Sequence, residues 1–563
     1  MAMQTSDSFI LILGLGISGL AMARWCAAQG QRVRVADTRA QPAALPTLQA
    51  ELPQVEFVSG PLTAALLTDA LGHVVARAVY CSPGLAPHAV APVRDAAQQA
   101  GVFFGGELDL FSQALAALRQ EYGYQPQVLA ITGTNGKTTV TALTGHLLER
   151  AGMRVAVAGN IGPSLLDTLA HHMQAAQAAL ASDAHAEEET TDQAAQQVDA
   201  QPEDASGEPT APQPTIAHPF VQHMPQAWVL ELSSFQLEYS SGFEPTAAVL
   251  LNITQDHLDW HGDMASYTAA KAKVYGRRAI AVVNQDDPAC LALQTQLAAT
   301  PDAKPARGSK ASPRRILAFG LSLPQAEDAW GVETVAGMPW LARSVTDAQE
   351  SGKKRRDAAV DVFLQRLMPA DAMRIRGSHN ISNALAALAL ASTTGAPLAP
   401  MLHGLREYRG EPHRVQSLGM VGGIEYIEDS KGTNVGATVA ALRGLGGVRK
   451  LVPILGGVGK DQDFTPLAQP VQAFARGVVV FGRDAAQIEA ALASTGVPLV
   501  RADSLQQAVA AATALAREGD AVLFSPACAS FDMFDNYVHR AECFAACVQA
   551  LALDAGQSLE AWA

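Results

Sequence analysis

Short apolar runs rich in β-branched residues alternate with longer Ala- and Leu-rich stretches along the whole chain. The runs are FILILG (9–14), RVRVAD (32–37), VLAIT (128–132), RVAVAG (154–159), AWVLEL (227–232), AAVLLNI (247–253), AIAVVN (279–284), EYIED (425–429), LVPILG (451–456), GVVVFG (477–482) and AVLFSP (521–526). Runs of this length, bounded by Gly, Asp, Asn or Pro, read as buried strands. Their alternation with helical stretches predicts an α/β protein built on parallel sheets. No repeat with a period of roughly 20–50 residues recurs, so a solenoid is not expected.

One stretch breaks the pattern. From His172 to Gln222 the chain holds nine acids (Asp183, Glu187, Glu188, Glu189, Asp192, Asp199, Glu203, Asp204, Glu208) and neither Lys nor Arg. Such a composition buries too little to offset ordering entropy, so a disordered surface spacer is expected there. The basic segments Lys304–Arg315 and Lys353–Arg356 read as solvated loops.

At about 150 residues per domain, 563 residues hold three or four domains. Apolar residues at 48% and charged residues at 17% exclude a wholly disordered chain. A net charge of −14 offers nucleic acid no general attraction, and setting the nine spacer acids aside leaves 45 acids against 40 bases, or −5. An anionic ligand held by fixed backbone donors is still compatible with that balance. The six cysteines include no C-x-x-C pair and read as reduced thiols of a cytoplasmic protein. The apolar start, Phe9–Ala23, is broken by glycines and follows Asp7 rather than a basic stretch, unlike a secretory leader. No apolar run is long enough for a membrane span, so no membrane insertion is expected.

Seven segments carry candidate chemistry. Gly14-Leu15-Gly16-Ile17-Ser18-Gly19 follows a strand and opens a helix, with Asp37 at the end of the next strand. Its glycines allow a tight turn, and the helix start offers N–H groups to a diphosphate, whether of a nicotinamide, a flavin or another ligand. Val128–Thr139 places Gly133, Thr134, Asn135, Gly136, Lys137, Thr138 and Thr139 between a strand and a helix, which is a phosphate-loop arrangement. Ile131 stands where the commoner motif has its first Gly. Glu231 ends a strand and precedes Ser233, Ser234 and Gln236, a position suited to a Mg²⁺ ligand. Asn252–His261 is dense in ligand types, including His257 between Asp256 and Asp259, and Tyr267–Lys271 follows it. Glu411-Pro-His-Arg414 reads as a domain junction. Glu428–Asn434 and Ser525–Asp532 are strand-end loops of the kind that line ligand crevices in α/β sheets.

Together, and in this order, the segments closely resemble the Mur ligases, the ATP-dependent amide-forming enzymes of bacterial peptidoglycan synthesis. The resemblance runs from about Phe9 to Ala550, the insertions excluded. Gly133–Thr139 looks like that family's shortened ATP loop. Asp429-Ser-Lys-Gly-Thr-Asn434 is similar to the D-glutamate-adding members, and Ser82-Pro-Gly84 also fits. The resemblance implies three domains. Residues 1–115 form a Rossmann-like domain for the uridine diphosphate substrate, 116–410 a P-loop ATPase-type α/β domain, and 411–563 a Rossmann-like domain for the amino acid.

It also implies roles. Lys137, Thr138 and Glu231 hold nucleotide phosphates and a first Mg²⁺. Lys271, carbamylated, and His257 serve a second ion, and Asn160 orients the substrate carboxylate. Asn380, Asn383 and Arg414 contact ATP, with Lys460 available. Val458 stands where some relatives carry an Asp facing the ribose. Lys431, Thr433, Ser530, Phe531 and Tyr537 take D-glutamate. Gly14–Gly19, Asp37, Thr38, Arg39 and Gly84 take the uridine diphosphate of UDP-N-acetylmuramoyl-L-alanine. A monomer is expected. The alternatives are a nicotinamide dehydrogenase, a folylpolyglutamate synthetase-like ligase and a non-catalytic scaffold.

Overall fold

A computed structural model of the chain describes residues 8–160, 162–195, 218–299, 313–346, 362–557 and 559. The chain divides into two compact units. The first comprises residues 1–132, 152–248 and 259–279, and the second 133–151, 249–258 and 280–563.

The first unit begins with β1 (Phe9–Leu13), β2 (Val33–Asp37), β3 (Glu56–Ser59), β4 (Ala76–Cys81) and β5 (Phe103–Gly106). They form a five-stranded sheet in the order β3-β2-β1-β4-β5, and every neighbouring pair is parallel. The order reverses between β1 and β4, so the loops after those strands, Gly14–Gly19 and Ser82–Gly84, bound a crevice at the carboxyl edge. Leu11, Leu13, Val79 and Cys81 of this sheet pack with Val90, Val93 and Ala97 of the helix Pro87–Gln99. The same unit holds β6 (Gln127–Thr132), β7 (Val155–Gly159) and β8 (Ala227–Glu231), parallel and in the order β6-β8-β7.

β9 (Ala247–Leu250) lies where the chain passes from one unit to the other. In the second unit β10 (Ile280–Asn284), β11 (Ile316–Phe319) and β12 (Ala329–Val335) pair in parallel. The sheet then continues through an antiparallel meander of β12, β13 (Met338–Thr346) and β14 (Val362–Pro369). A six-stranded sheet follows, made of β15 (Gln416–Val421), β16 (Ile424–Glu428), β17 (Leu451–Gly456), β18 (Val478–Phe481), β19 (Leu499–Arg501) and β20 (Ala521–Phe524). Its order is β15-β16-β20-β17-β18-β19, parallel except for the β15–β16 hairpin. Successive residues face opposite sides. Ile427, Leu451, Leu455, Val478, Val480 and Leu523 enter one core, and Tyr426, Val452, Ile454, Val479, Phe481, Val522 and Phe524 enter the other. Burial on both faces explains why these strands read as continuous apolar runs.

The α/β expectation holds, and each of the eleven expected strands is observed. Two expectations are corrected. The acidic stretch is not wholly without structure, because a helix runs through Leu165–Ala195 and a short one spans Pro219–His223. Leu165, Leu166, Leu169 and Ala176 are buried, so the helix starts on a packed face and continues through good helix formers. The rest of that stretch, 196–217, lies outside the described residues, as do 304–312 and 353–356. The first basic segment does not end as a solvated loop. Arg314 is buried, and Arg315 pairs with Asp328 at 3.0 Å.

The third glycine of the first motif is fixed by contact. A Cβ on Gly19 would stand 1.9 Å from the backbone oxygen of Gly14. Elsewhere in a helix Gly→Ala stabilises by up to about 1 kcal/mol. Gly19→Ala is expected instead to cost about 1–3 kcal/mol, as overpacking does. Urea denaturation checks the sign, and a stabilised variant would refute the contact.

Candidate active site

At the first crevice the loop Gly14–Gly19 is fastened by Asp37. The buried Asp37 carboxylate accepts from Leu15 N (2.7 Å), from Arg39 N and Nε (2.8 and 2.9 Å), and from Arg39 Nη2 (2.7 Å). Burial pushes its pKa upward, but the Arg39 guanidinium and the two backbone N–H groups outweigh that and hold it at about 2. Asp37 thus sets the loop's shape and holds the Arg39 guanidinium, while Ile17 is 80% exposed. Ser82 N donates to Leu13 O at 2.8 Å and ties the loop before Gly84 to the end of β1.

The ends of β6, β7 and β8 gather a second set. Asn160 donates through its backbone to Glu231 O (2.9 Å) and through Nδ2 to Glu231 Oε1 (3.0 Å). Glu231 is 1% exposed, and its other oxygen, Oε2, has no hydrogen-bond partner. Thr132 Oγ1 donates to Leu232 O (2.7 Å) and lies 3.5 Å from Lys271 Nζ. Lys271 is buried, with its Nζ 4.8 Å from the Tyr267 ring centre. His261 Nε2 lies 2.9 Å from Ser234 Oγ, a pairing that sequence reasoning did not single out.

In the second unit the phosphate loop is held from outside. Thr134 N donates to Asn252 O (2.9 Å), and Asn135 N donates to Asn252 Oδ1 (2.8 Å). In return Asn252 Nδ2 donates to Asn135 O (3.0 Å). Gly136 caps the helix Lys137–Arg150 in a left-handed conformation (φ 84°), where a Cβ would meet Asn383 Oδ1 at 2.7 Å. Lys137 Nζ donates to Gly133 O and Thr134 O, both at 2.8 Å. Arg414 Nη2 donates to Thr138 Oγ1 at 2.9 Å. His257, with a positive φ of 54°, lies 3.6 Å from Asp256 through Nε2. Asn135, Gly136, Thr139, Asn380, Asn383 and Arg414 all line one cavity of about 140 Å³. His379, which the sequence reading missed, lines it too. Burial and the nearby Arg414 lower its pKa to about 4, so the ring is neutral at physiological pH, and its Nδ1 has no partner. A histidine opening a helix gives no signal of this on its own.

The carboxyl ends of β16, β17 and β20 form a third group. Ala527 N donates to Gly432 O (3.0 Å), Gly456 N to Pro526 O (2.9 Å), and Val458 and Ala529 exchange backbone bonds at 2.9 Å. Val458 therefore joins two loops through its backbone, whatever its side chain lacks. Ser525 Oγ donates to Asp429 Oδ2 (2.6 Å), and burial pushes the Asp429 pKa up to about 7. His413 Nδ1 lies 3.0 Å from the buried Glu428. Lys431 Nζ stands 5.6 Å from the Tyr537 ring centre, Phe531 is 72% exposed, Ser530 is buried, and Lys460 is exposed. Asn434 caps the helix Val435–Gly446 and donates Nδ2 to Asn135 Oδ1 at 3.1 Å.

Arg540 escaped the sequence reading entirely, because an Arg in an amphipathic helix reads as surface. It is fully buried in the helix Tyr537–Asp554, donating to Ser430 O (2.7 Å) and Cys528 O (3.0 Å), one carbonyl in each of two strand-end loops. None of the six cysteines forms a disulfide.

A 3-2-1-4-5 sheet with a glycine-rich turn, a phosphate loop, and a further parallel sheet with laced strand-end loops define a phosphate-binding α/β protein. Three family descriptions match in chain order: "Mur ligase MurD-like, N-terminal domain" over 8–105, "Mur ligase middle domain" over 131–311, and "Mur ligase, glutamate ligase domain" over 413–528. The chain is 52% identical over 556 residues to the UDP-N-acetylmuramoylalanine–D-glutamate ligase of Albidiferax ferrireducens, covering 98% of each chain. Proteins of the same name from a Polaromonas species and from Burkholderia mallei are 47% and 48% identical. The alignments cover 98% of this chain and 99% and 98% of theirs. The chain belongs to the Mur ligase family.

The depressed Asp37 pKa sets a pH dependence. The unfolded carboxylate titrates near 3.8 and the folded one near 2, so its stabilisation is complete above about pH 4 and lost as pH falls through 2. Asp37→Asn is expected to lower stability by about 2 kcal/mol at neutral pH. That difference from wild type should shrink as denaturation is repeated between about pH 5 and pH 3. A difference that does not change with pH would remove the ion-pair account.

Proposed function

We infer that this chain is an ATP-dependent ligase that joins D-glutamate to the L-alanine carboxylate of UDP-N-acetylmuramoyl-L-alanine, in cytoplasmic peptidoglycan precursor synthesis. The observation that carries the reading is the single cavity lined by Asn135, Gly136, Thr139, Asn380, Asn383 and Arg414, in a chain whose relatives of that name match it end to end. Among the described residues no helix is long and apolar enough to cross a membrane. The domain limits at 115 and 410 form part of this reading.

A carboxylate is a poor electrophile until one oxygen becomes a leaving group. The substrate carboxylate attacks the γ-phosphorus of ATP, ADP departs, and an acyl phosphate results. The D-glutamate amine then attacks the carbonyl carbon, and the tetrahedral intermediate expels phosphate as the nitrogen loses a proton. Two anions must meet in the first step, so cations and fixed dipoles are needed. Lys137 and the start of the helix Lys137–Arg150 are assigned to the phosphates, and Asn380, Asn383 and Arg414 to the nucleotide. Asn160 is assigned to the substrate carboxylate.

Gly14–Gly19, Thr38, Arg39 and Gly84 are assigned to the uridine diphosphate. Lys431, Thr433, Ser530, Phe531 and Tyr537 are assigned to D-glutamate, and Lys460 to the nucleotide. Among the described residues no three His, Cys, Asp or Glu side chains form a ready metal cage. Mg²⁺ does not require one, since it keeps waters and uses one or two protein carboxylates beside phosphate oxygens. The buried, unpartnered Oε2 of Glu231 fits that role, as does the Thr138 hydroxyl. An Mg²⁺ ion held by those groups would neutralise charge on the phosphates. Lys271 is proposed to react with CO₂ as the neutral amine, losing a proton to give a carbamate. With His257 it would serve a second ion.

Phosphate release should require ATP, UDP-N-acetylmuramoyl-L-alanine and, from a panel of amino acids, D-glutamate. Lys137→Ala should lower turnover by about 10²–10³-fold, as loss of a charge-stabilising group does. Hydride transfer without ATP use, or saturable folate binding, would sink the assignment. The carbamate has its own test, in which Lys271→Ala loses activity and regains part of it with added formate or acetate. A near-normal rate that neither additive changes would show the lysine has no such role.

A further inference from the structure

The cavity assigned to the nucleotide is small. Its volume of about 140 Å³ is below the roughly 300–1,000 Å³ common for ligand sites, so a whole nucleoside triphosphate needs more room. The room adjoins it. A cavity of about 720 Å³ shares Ile375, Asn380, Gly410, Glu411, Arg414 and Val415 with the smaller one. Five arginines line this larger space, Arg374, Arg376, Arg409, Arg414 and Arg449, against two carboxylates, Glu411 and Glu425. The local surplus is positive in a chain whose net charge is −14.

The arginines are not equivalent. Glu425 pairs with Arg449 and lies 4.0 Å from Arg376. Arg414 donates to Thr138. Arg374 and Arg409 are exposed, and among the described residues neither has a hydrogen-bond or ion-pair partner. Two exposed guanidinium groups in a concave, positively lined space carry charge that no hydrogen-bond or ion-pair partner among the described residues compensates. A multiply charged anion relieves both.

We propose that this basic cavity is an entry vestibule for the phosphate tail of the nucleoside triphosphate. Arg374 and Arg409 draw the tail in, and Arg414, common to both cavities, passes it to the inner one. A charged cleft with low-dielectric walls focuses the field and raises association rates by about 10–10³-fold in favourable cases. Screening shortens its reach to about 8 Å at physiological salt, so only charges beside the path matter. The proposal rests on the nucleotide reading above.

The test is stopped-flow association of a fluorescent Mg²⁺·ATP analogue with the full-length protein, from about 25 mM to about 500 mM salt. The double variant Arg374→Gln/Arg409→Gln should associate about three- to tenfold more slowly at low salt. The gap should close at high salt, with the dissociation rate and kcat unchanged. Arg374→Lys/Arg409→Lys keeps the charge and should follow wild type. An unaltered rate and salt slope in the Gln variant, or a Lys variant as slow as the Gln one, overturns the vestibule and leaves the nucleotide reading standing. A wild-type protein with no saturable association at any salt overturns both.

Discussion

The phosphate loop depends on a reciprocal amide pair. Asn135 and Asn252 each bond the other, backbone N–H to side-chain oxygen and side-chain N–H to backbone oxygen, at 2.8 and 3.0 Å. Thr134 and Thr254 repeat the arrangement one step along, with Thr254 N donating to Thr134 Oγ1 at 3.0 Å. The bonds fix the loop's turn before any ligand arrives. The first N–H groups of the helix Lys137–Arg150 have no intrahelical acceptor by construction, so a loop held this way presents donors without reorganising. Asn434 extends the same anchor to the strand-end loop of the six-stranded sheet through Asn135 Oδ1. A change at Asn252 would therefore loosen the phosphate loop, whereas a change at Asn135 would cut its side-chain link to the loop after β16.

The cations of the loop already rest on oxygen. Lys137 donates to two loop carbonyls and Arg414 to the Thr138 hydroxyl. Under the nucleotide assignment proposed above, an incoming triphosphate would exchange these bonds for stronger charge-assisted ones. Neither cation has to be taken from an apolar surrounding first, which keeps the cost of rearrangement low. Arg414 Nε has no partner in this arrangement, so one donor of the guanidinium awaits an acceptor.

Most strands buried on both faces were legible, because burial leaves mainly apolar residues to read, although the central β4, interrupted by the exposed Arg77, was not. Among the described residues, the other strands that were missed are mainly of two kinds. Several lie at sheet edges, such as β3 and β19, whose residues are half exposed and give no apolar run. Others belong to the antiparallel meander β12–β14, where polar and charged residues such as Glu333 and Arg366 pair across strands. The helix through Leu165–Ala195 was hidden by composition, since a packed first turn rather than mean hydropathy supports it. Residues bound to loops by local spacing, from Gly133 to Thr139 and from Asp429 to Asn434, were visible as motifs. Arg540 and His379 were not, because their meaning comes from burial against segments distant in sequence.

Buried carboxylates decide where a cation belongs. Asp37 is satisfied by Arg39 and backbone N–H groups, Glu428 bonds to Ser430 N and lies at hydrogen-bond distance from His413, and Asp429 is satisfied by Ser525, Val415 N and a raised pKa. Glu407 is paired with Arg150. Among the described residues only Glu231 keeps a buried carboxylate oxygen with neither a hydrogen bond nor an ion pair. An unpaired buried charge is expensive, and a fold that satisfies every comparable group has no structural reason to leave this one open. The Asn160 side chain takes Oε1 and so orients the carboxylate. A metal ion compensates such an oxygen without removing its charge, whereas a lysine in that place would compete with the metal. The open oxygen therefore supports the Mg²⁺ role proposed above for Glu231.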